Sequence, residues 1–530
     1  MRASRRTGTR GKKPDDSCLE MEVYEMEGYE SREARQAAME IKPESRGGFH
    51  DLRDFISQVE SMGDLQVVNG ADWDQEIGAL TEVVAEHKEH PVLLFDNIKG
   101  YPPGYRVLTN PLTTVRRVCL ALGLPLDTKP LDILKVWKDK SANFQPVPPI
   151  MVKDAPVKEN VVTGKDVDLL KFPVPKWHDQ DPTRYMGTAD CVLMRDPDAG
   201  WVNLATYRMA LHDKDTLGLY ISPGKHGYLF LQRYHERGES APIAVSFGHD
   251  PLLFLTCATF FPYQNSEYEY AGWLRGKPYE VTRGVTTDLP IPATAEIVIE
   301  GEVPPRSVET RTEGPFGEFT GYYSVGPHPQ MVVKVKSIMF RNNPILLGAP
   351  PFRFPIHWFS AIPFNAAETW DALDKAGVPD VKGVWQFGSW FPFLTVVAIR
   401  QRYAGHAKQA ALVAMGAKGS AYCGRLMVVV DDDIDITSLE DVVWAITTRC
   451  EPANSIDLIR ECWSSPIDPI ISPEMRFGLP HGAQHASRLI INACRPYTWL
   501  KDFPKVNAAS PELKEKMRTK YADLMALLKG

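Results

Sequence analysis

Apolar and polar positions along the chain follow three rhythms in turn. From Phe49 the first is helical: Leu52 to Met62 repeats apolar residues three and four apart, and a second helix is predicted over Pro111 to Leu122. Between them Pro91-Val-Leu-Leu-Phe95 is a short continuous apolar run, the pattern of a buried strand, closed by the turn residues of Gly100-Tyr-Pro-Pro-Gly104. Residues 49–160 therefore read as an N-terminal α/β domain.

Across 161–345 the rhythm shortens to many brief runs rich in Val, Ile, Tyr and Thr and punctuated by Gly and Pro. Ala295-Glu-Ile-Val-Ile-Glu300 and Met331-Val-Val-Lys-Val-Lys336 are examples, and the texture predicts a β-barrel or sandwich. Over 346–505 helix and strand alternate again. Leu394-Thr-Val-Val-Ala-Ile399 and Leu426-Met-Val-Val-Val430 read as fully buried strands, with helices predicted over Ala407 to Met415 and Leu439 to Thr448, so a C-terminal α/β domain follows. In the tail, 506–530, Pro511 to Leu528 repeats Leu, Met and Ala at helical spacing, which suits a docking helix against its own chain or a partner subunit. Residues 1–48 have a basic start, an acidic middle from Glu20 to Glu30 and few periodic apolar positions, the composition of a poorly ordered arm. The fold class is mixed α/β with a β-rich centre.

Composition narrows the function. At 530 residues, 44% hydrophobic and 24% charged, the chain is ordinary globular protein and should divide into roughly three domains. Its formal net charge of -7 offers no basic face for nucleic acid. No run of eighteen apolar residues occurs, and the basic opening Met1 to Lys13 lacks the apolar stretch of a secretory signal, so no membrane is expected and a cytoplasmic location is. The eight cysteines are scattered without a CxxC pair, which argues for reduced thiols rather than a zinc knuckle or a disulfide framework.

Five segments carry candidate chemistry. Asn203-Leu-Ala-Thr-Tyr-Arg208, His226 in Ser222-Pro-Gly-Lys-His226, and Glu267 in Ser266-Glu-Tyr-Glu-Tyr-Ala-Gly272 supply an amide oxygen, an imidazole and a carboxylate, a set that suits a hard divalent ion. Spacing does not bring them together; taken alone, a turn asparagine, a loop histidine and a solvated acid explain them as well. Glu313-Gly-Pro-Phe-Gly-Glu318 sets two acids on a loop that Pro and Gly keep from being a helix. If the loop lines a dry cleft, the acid nearer Arg208 stays ionised and the other can hold a proton; otherwise it is a surface turn. Arg402-Tyr-Ala-Gly-His-Ala-Lys408 opens a helix after an apolar strand, where backbone N–H groups and a lysine can receive phosphate, as many such turns can.

Taken in order, Asn203 to Arg208, SEYEYAGWLRG at Ser266 to Gly276, Ala293 to Tyr323 ending in EGPFGEFTGYY, YAGHAK at Tyr403 to Lys408 and VVWAITTRCE at Val442 to Glu451 resemble the UbiD family of prenylated-flavin decarboxylases from about Phe49 to Pro466. The resemblance implies a central split β-barrel domain of flavin-reductase-like form, flanked by the two α/β domains, and self-association through the C-terminal one as a homodimer or higher oligomer. It implies reversible, non-oxidative removal of carbon dioxide from an aromatic, heteroaromatic or conjugated acid, with prenylated FMN as the electron sink in a covalent adduct and a flavin prenyltransferase as its supplier. By this likeness Asn203, His226 and Glu267 are the ligands of Mn²⁺ or Mg²⁺, and Arg208, Glu313 and Glu318 form the catalytic Glu-Arg-Glu network. Thr206, Tyr207, Arg208, Lys225 and Lys408 join the metal ligands in holding the cofactor. An alkali cation, K⁺, belongs near Thr256 to Thr259 and Glu267. Lys225, just before His226, has an ammonium that either meets a second acidic group on the substrate or points to solvent. Phe319 and the loop Ala349 to Trp358 add aromatic surface for a flat ring. Two other readings stand beside this one: a flavin-dependent oxidoreductase on the same barrel, against which no GxGxxG opens a βαβ unit, and a flavin-binding assembly subunit without catalysis.

Overall fold

A computed structural model describes residues 48–527 except 260, 389–392 and 479–482. The arm read over 1–48 thus lies, but for Gly48, outside the described residues. The first helix, Leu52–Ser61, begins where the Asp51 side chain accepts the Asp54 N–H, and buries Leu52, Phe55, Ile56 and Val59 on one face. It leads into a four-stranded sheet ordered Leu65–Asn69, Val92–Asp96, Arg106–Thr109 and Ile345–Gly348. The last of these returns from beyond the β-rich segment to pair in parallel with Arg106–Thr109. Sequence texture alone set a boundary at 345; the pairing puts that strand in the first sheet.

The β-rich segment forms an eight-stranded sheet whose path runs Thr216–Leu219, His328–Phe340, Ile297–Val303, Ala241–Phe247, Asp190–Arg195 and Val202–Ala205, each pair antiparallel. Arg311–Glu313 and Asn160–Thr163 pair along the long strand His328–Phe340. Its strands read as continuous apolar runs because both faces are covered: Ile297 and Ile299 enter one apolar cluster with Val192 and Met194, while Val298 enters another with Cys191 and Leu193. The C-terminal sheet is ordered Val381–Phe387, Leu394–Ile399, Leu426–Asp431, His485–Ala493 and Ile456–Trp463, with the three inner strands parallel. Helix His406–Gly416 packs on it through Ala407, Ala410, Ala411 and Ala414.

The tail is two helices, Pro511–Lys520 and Ala522–Leu527, and the first buries none of its residues. The docking against its own chain that the tail's periodicity suggested is therefore not seen, and Leu513 and Leu524 stay exposed. Among the described residues no helix is long and apolar enough to cross a membrane.

His90 illustrates how this packing bears on stability. Its Nδ1 lies 2.7 Å from the His87 carbonyl oxygen and its Nε2 2.7 Å from Thr113 Oγ1, and burial pushes the ring from 6.5 down to about 4. The unfolded chain then binds the extra proton first, so the stability contributed by the neutral ring is present above about 6.5 and is lost as pH falls toward 4. Urea midpoints measured across that window should fall more steeply in the native chain than in His90→Asn; equal slopes would contradict the assignment.

Candidate active site

A cavity of about 300 Å³ opens between the central sheet and the C-terminal sheet. One wall is the strand Val202–Ala205 and the segment following it to Arg208; another is the loop from Tyr220 into the helix His226–Glu236. The floor adds Cys257 to Thr259 and Glu267, and the far side brings Lys418, Tyr422, Trp463 and Ile467 from the C-terminal part of the chain.

Three side chains far apart in sequence meet here. His226 is the first residue of its helix, and its Nδ1 lies 3.0 Å from Asn203 Oδ1. Glu267, first residue of the helix Glu267–Arg275, accepts the N–H of Leu204, next to Asn203, at 2.8 Å. Burial lifts the Glu267 carboxyl to about 8, offset only by backbone N–H groups, and burial with the charges of Lys418 and Lys225 lowers the His226 ring. The site thus holds a neutral imidazole, an amide and a buried acid whose carboxylate, among the described residues, accepts from the Leu204 backbone N–H. Among the described residues no cluster of three His, Cys, Asp or Glu side chains has metal-binding geometry; this set is mixed because its third member is an amide. Thr256 and Thr259 donate their hydroxyls to the carbonyl oxygens of Leu253 and Leu255.

Arg208 is clamped between two acids and two rings. Its Nη2 donates to Glu313 Oε2 at 2.9 Å, its Nε lies 2.8 Å from Glu313 Oε1, and its Nη1 donates to Glu318 Oε1 at 2.5 Å. Tyr220 and Phe316 cover the guanidinium faces at 4.5 and 4.6 Å. The loop that aims both acids starts where the strand Arg311–Glu313 ends and Gly314 turns the chain at φ 95°, a backbone conformation open to glycine. The two acids are not equivalent. Burial raises both, but Glu313 has two contacts with Arg208 and a third hydrogen bond, 3.0 Å from the Tyr185 hydroxyl, and falls below its ordinary value. Glu318 has the single contact, and burial keeps it above. Glu318 faces the cavity, whereas Glu313 lies behind Arg208.

Residues 56–137, 150–353 and 359–493 match, in that order, the N-terminal, Rift-related and C-terminal domains of the 3-octaprenyl-4-hydroxybenzoate carboxy-lyase family, UbiD. The pyrrole-2-carboxylic acid decarboxylase of Pseudomonas aeruginosa is 34% identical over 466 residues, 84% of this chain and 91% of its own. The chain belongs to the UbiD family. It is a carboxy-lyase of that family. A phenolic acid decarboxylase of Bacillus subtilis is 31% identical, with 84% of this chain and 93% of the relative covered. The UbiD-class enzyme HmfF from Pelotomaculum thermopropionicum, in an evolved dimeric form in complex with prFMN, superposes with a TM-score of 0.73 at 28% identity, covering 88% of this chain and 98% of that one. The mixed α/β architecture is therefore that of UbiD-class enzymes.

Within this UbiD fold the remaining expected residues divide. Thr206 and Tyr207 line the cavity; the Thr206 hydroxyl donates to the Asp190 carbonyl oxygen at 3.0 Å, and the Tyr207 N–H to Asp190 Oδ1 at 3.2 Å. Lys225 also lines it, and burial with the nearby charge of Lys418 brings its ammonium down to about 7. Lys408 does not line it: it sits on the half-exposed side of helix His406–Gly416, paired with Asp457. From this part of the chain it is Lys418, ten residues on, that joins Lys225 on the cavity wall. Tyr422, Trp463 and Ile467 are further wall residues that sequence reasoning missed.

Tyr207 ties the segment after strand Val202–Ala205 to the helix His226–Glu236, its hydroxyl accepting the Gly227 N–H at 3.2 Å. A Cβ on Gly227 would lie 2.9 Å from the Tyr207 ring and hydroxyl. Gly227→Ala should therefore cost about 1–3 kcal/mol through the displaced ring. Thermal unfolding should show a lowered Tm, partly restored by adding Tyr207→Leu; an unchanged Tm would mean that the ring yields freely.

Proposed function

We propose that this chain removes carbon dioxide from an aromatic or heteroaromatic carboxylic acid, using prenylated FMN and a divalent ion, Mn²⁺ or Mg²⁺. The observation that carries the reading is the pairing, around one cavity, of the Asn203–His226–Glu267 group with an arginine held between two acids of unlike proton affinity. The named activities of the Pseudomonas and Bacillus relatives and the prFMN bound by the Pelotomaculum enzyme point the same way. In this reading the eight-stranded sheet is the family's split, flavin-reductase-like barrel, with its edge strand Val202–Ala205 on the cofactor side.

The donor set fits the absent groups. An amide oxygen, an imidazole and a carboxylate suit a hard divalent ion, and such an ion supplies the charge that the buried Glu267 lacks. Lys225 and Lys418 face the same cavity and suit the phosphate of a flavin. When bound, the prenylated flavin supplies the sink for the electron pair left behind by carbon dioxide.

The chain's own residues do the rest. Glu313 and Tyr185 fix Arg208 from behind, so that its Nη1 edge, at Glu318, is the one presented to a substrate carboxylate. Glu318, whose affinity for a proton burial raises, delivers a proton to the carbon that lost carbon dioxide. Phe316, Phe319, Trp358, Tyr422 and Trp463 give the cavity flat apolar walls that fit an aromatic ring and limit water.

Co-expression with a flavin prenyltransferase, followed by mass analysis of the bound cofactor and a screen of aromatic acids for carbon dioxide release, tests this. Release from at least one ring acid by flavin-loaded protein is expected, together with a homodimer or larger assembly. Protein that binds no flavin, or binds it and releases nothing from any acid, overturns the proposal.

A further inference from the structure

Asp196 lies outside the cavity, fully buried, in the turn between the strands Asp190–Arg195 and Val202–Ala205. Its Oδ1 accepts the N–H groups of Asp198 at 2.9 Å and Ala199 at 3.3 Å, and its own N–H donates to the Trp201 carbonyl oxygen at 2.8 Å, which shapes the turn entering the Asn203 strand. Its Oδ2 accepts from Arg233 Nη1 at 2.6 Å; Arg233 is on the helix that His226 begins, two turns along. The same Oδ2 accepts the hydroxyl of Tyr263, four residues before Glu267, and Arg233 Nη1 lies 3.2 Å from that hydroxyl.

One carboxylate therefore joins the three elements that carry Asn203, His226 and Glu267. The rings above it complete the connection. Trp201 and Tyr263 meet each other edge-on at 5.1 Å, and each meets the His226 ring, at 5.2 and 5.7 Å. Motion of Tyr263 or Trp201 is thus transmitted to the imidazole by contact. A buried carboxylate that accepts four hydrogen bonds, one from an arginine, is a rigid anchor, because losing any donor leaves charge uncompensated in the interior.

We propose that Asp196 is a positioning residue that holds Asn203, His226 and Glu267 at ion-binding distance from one another, through Arg233 and Tyr263. This rests on the reading of those three as the ion site. A residue of this kind acts on the affinity of the ion, since outer partners that orient ligands are typically worth about 10–100-fold in metal affinity.

The test is an Mn²⁺ titration of the full-length protein with FMN present, followed by the electron paramagnetic resonance signal of free Mn²⁺, with Tm measured alongside. Four proteins are compared: the native chain, Glu267→Gln, Asp196→Asn and Tyr263→Phe. The native chain should bind, Glu267→Gln should lose binding, and the other two should bind about tenfold more weakly or worse. Tyr263→Phe removes only a partly exposed hydroxyl, so it decides the matter if Asp196→Asn does not fold. Native affinity in Tyr263→Phe and Asp196→Asn, whether or not Tm falls, overturns the positioning role and leaves the ion site standing. No Mn²⁺ binding by the native chain overturns both.

Discussion

Glu318→Gln should bind flavin and Mn²⁺ as the native chain does and lose turnover by about a hundredfold to ten-thousandfold, the range for removing a positioned proton donor. Glutamine keeps the shape and can still reach Arg208, so the cavity and the group formed by Asn203, His226 and Glu267 are untouched. What disappears is the acid on the cavity wall beside Arg208, whose affinity for a proton burial raises. Glu313→Gln should behave differently, because Glu313 stands behind Arg208 and is held ionised by it. Its loss loosens the guanidinium and raises KM as well as lowering kcat. Steady-state rates of carbon dioxide release on flavin-loaded protein separate the two. Native turnover in Glu318→Gln would end the assignment of the proton donor.

The second large effect concerns Arg208 itself. In Arg208→Met the Glu313 carboxyl, almost fully buried, loses its guanidinium and keeps only the Tyr185 hydroxyl. Removing one member of a buried ion pair costs about 3–5 kcal/mol, and the loss should appear as a marked fall in denaturant midpoint. The sign with pH follows from the direction of the shift. Glu313 is held below its ordinary value in the native chain, so its contribution is present above that value and fades as pH falls. The deficit of Arg208→Met should accordingly shrink toward acid pH. Arg208→Met with Glu313→Gln should recover much of the stability, because a neutral amide tolerates burial, and recover none of the activity. A double variant as unstable as the single one would show that ring packing by Tyr220 and Phe316, not charge, is what Arg208 supplies.

How much of this was legible beforehand depends on which physical signal each element leaves in sequence. Strands such as Leu394–Ile399 and the helix Leu52–Ser61 announce themselves through local periodicity, and the structure reproduces them within a residue or so. The helix read over Pro111 to Leu122 starts later, at Val115, since its first residues lead up to the extended Thr114. The boundary read at 345 cuts through strand Ile345–Gly348, because partner choice in a sheet is a long-range property that texture does not encode. The tail helix shows the converse: its apolar spacing is real, yet the first of its two helices buries nothing within this chain.

The site was readable where chemistry is concentrated in short motifs. Asn203, Arg208, His226, Glu267, Glu313 and Glu318 were named by motif and by the resemblance those motifs carry; the fold sets all but Glu313 on the wall of one cavity, with Glu313 behind Arg208. The sequence reading named Lys408 and passed over Lys418. Both sit at helix starts near an apolar strand, and only the packing shows that Lys408 meets Asp457 while Lys418 reaches the cavity wall. Tyr422 and Trp463 left no signal either, since an aromatic residue facing a cavity and one in a core look alike in sequence. Asp196 left no signal because its side-chain partners, Arg233 and Tyr263, lie 37 and 67 residues away in sequence.

The most direct test of the account is a crystal structure of the protein purified with prenylated flavin and Mn²⁺, recorded at the manganese absorption edge. An anomalous peak within coordination distance of Asn203 Oδ1, His226 and Glu267, with the flavin phosphate beside it and Arg208 and Glu318 at the ring, is the result expected. A peak elsewhere, or flavin density outside this cavity, would contradict it.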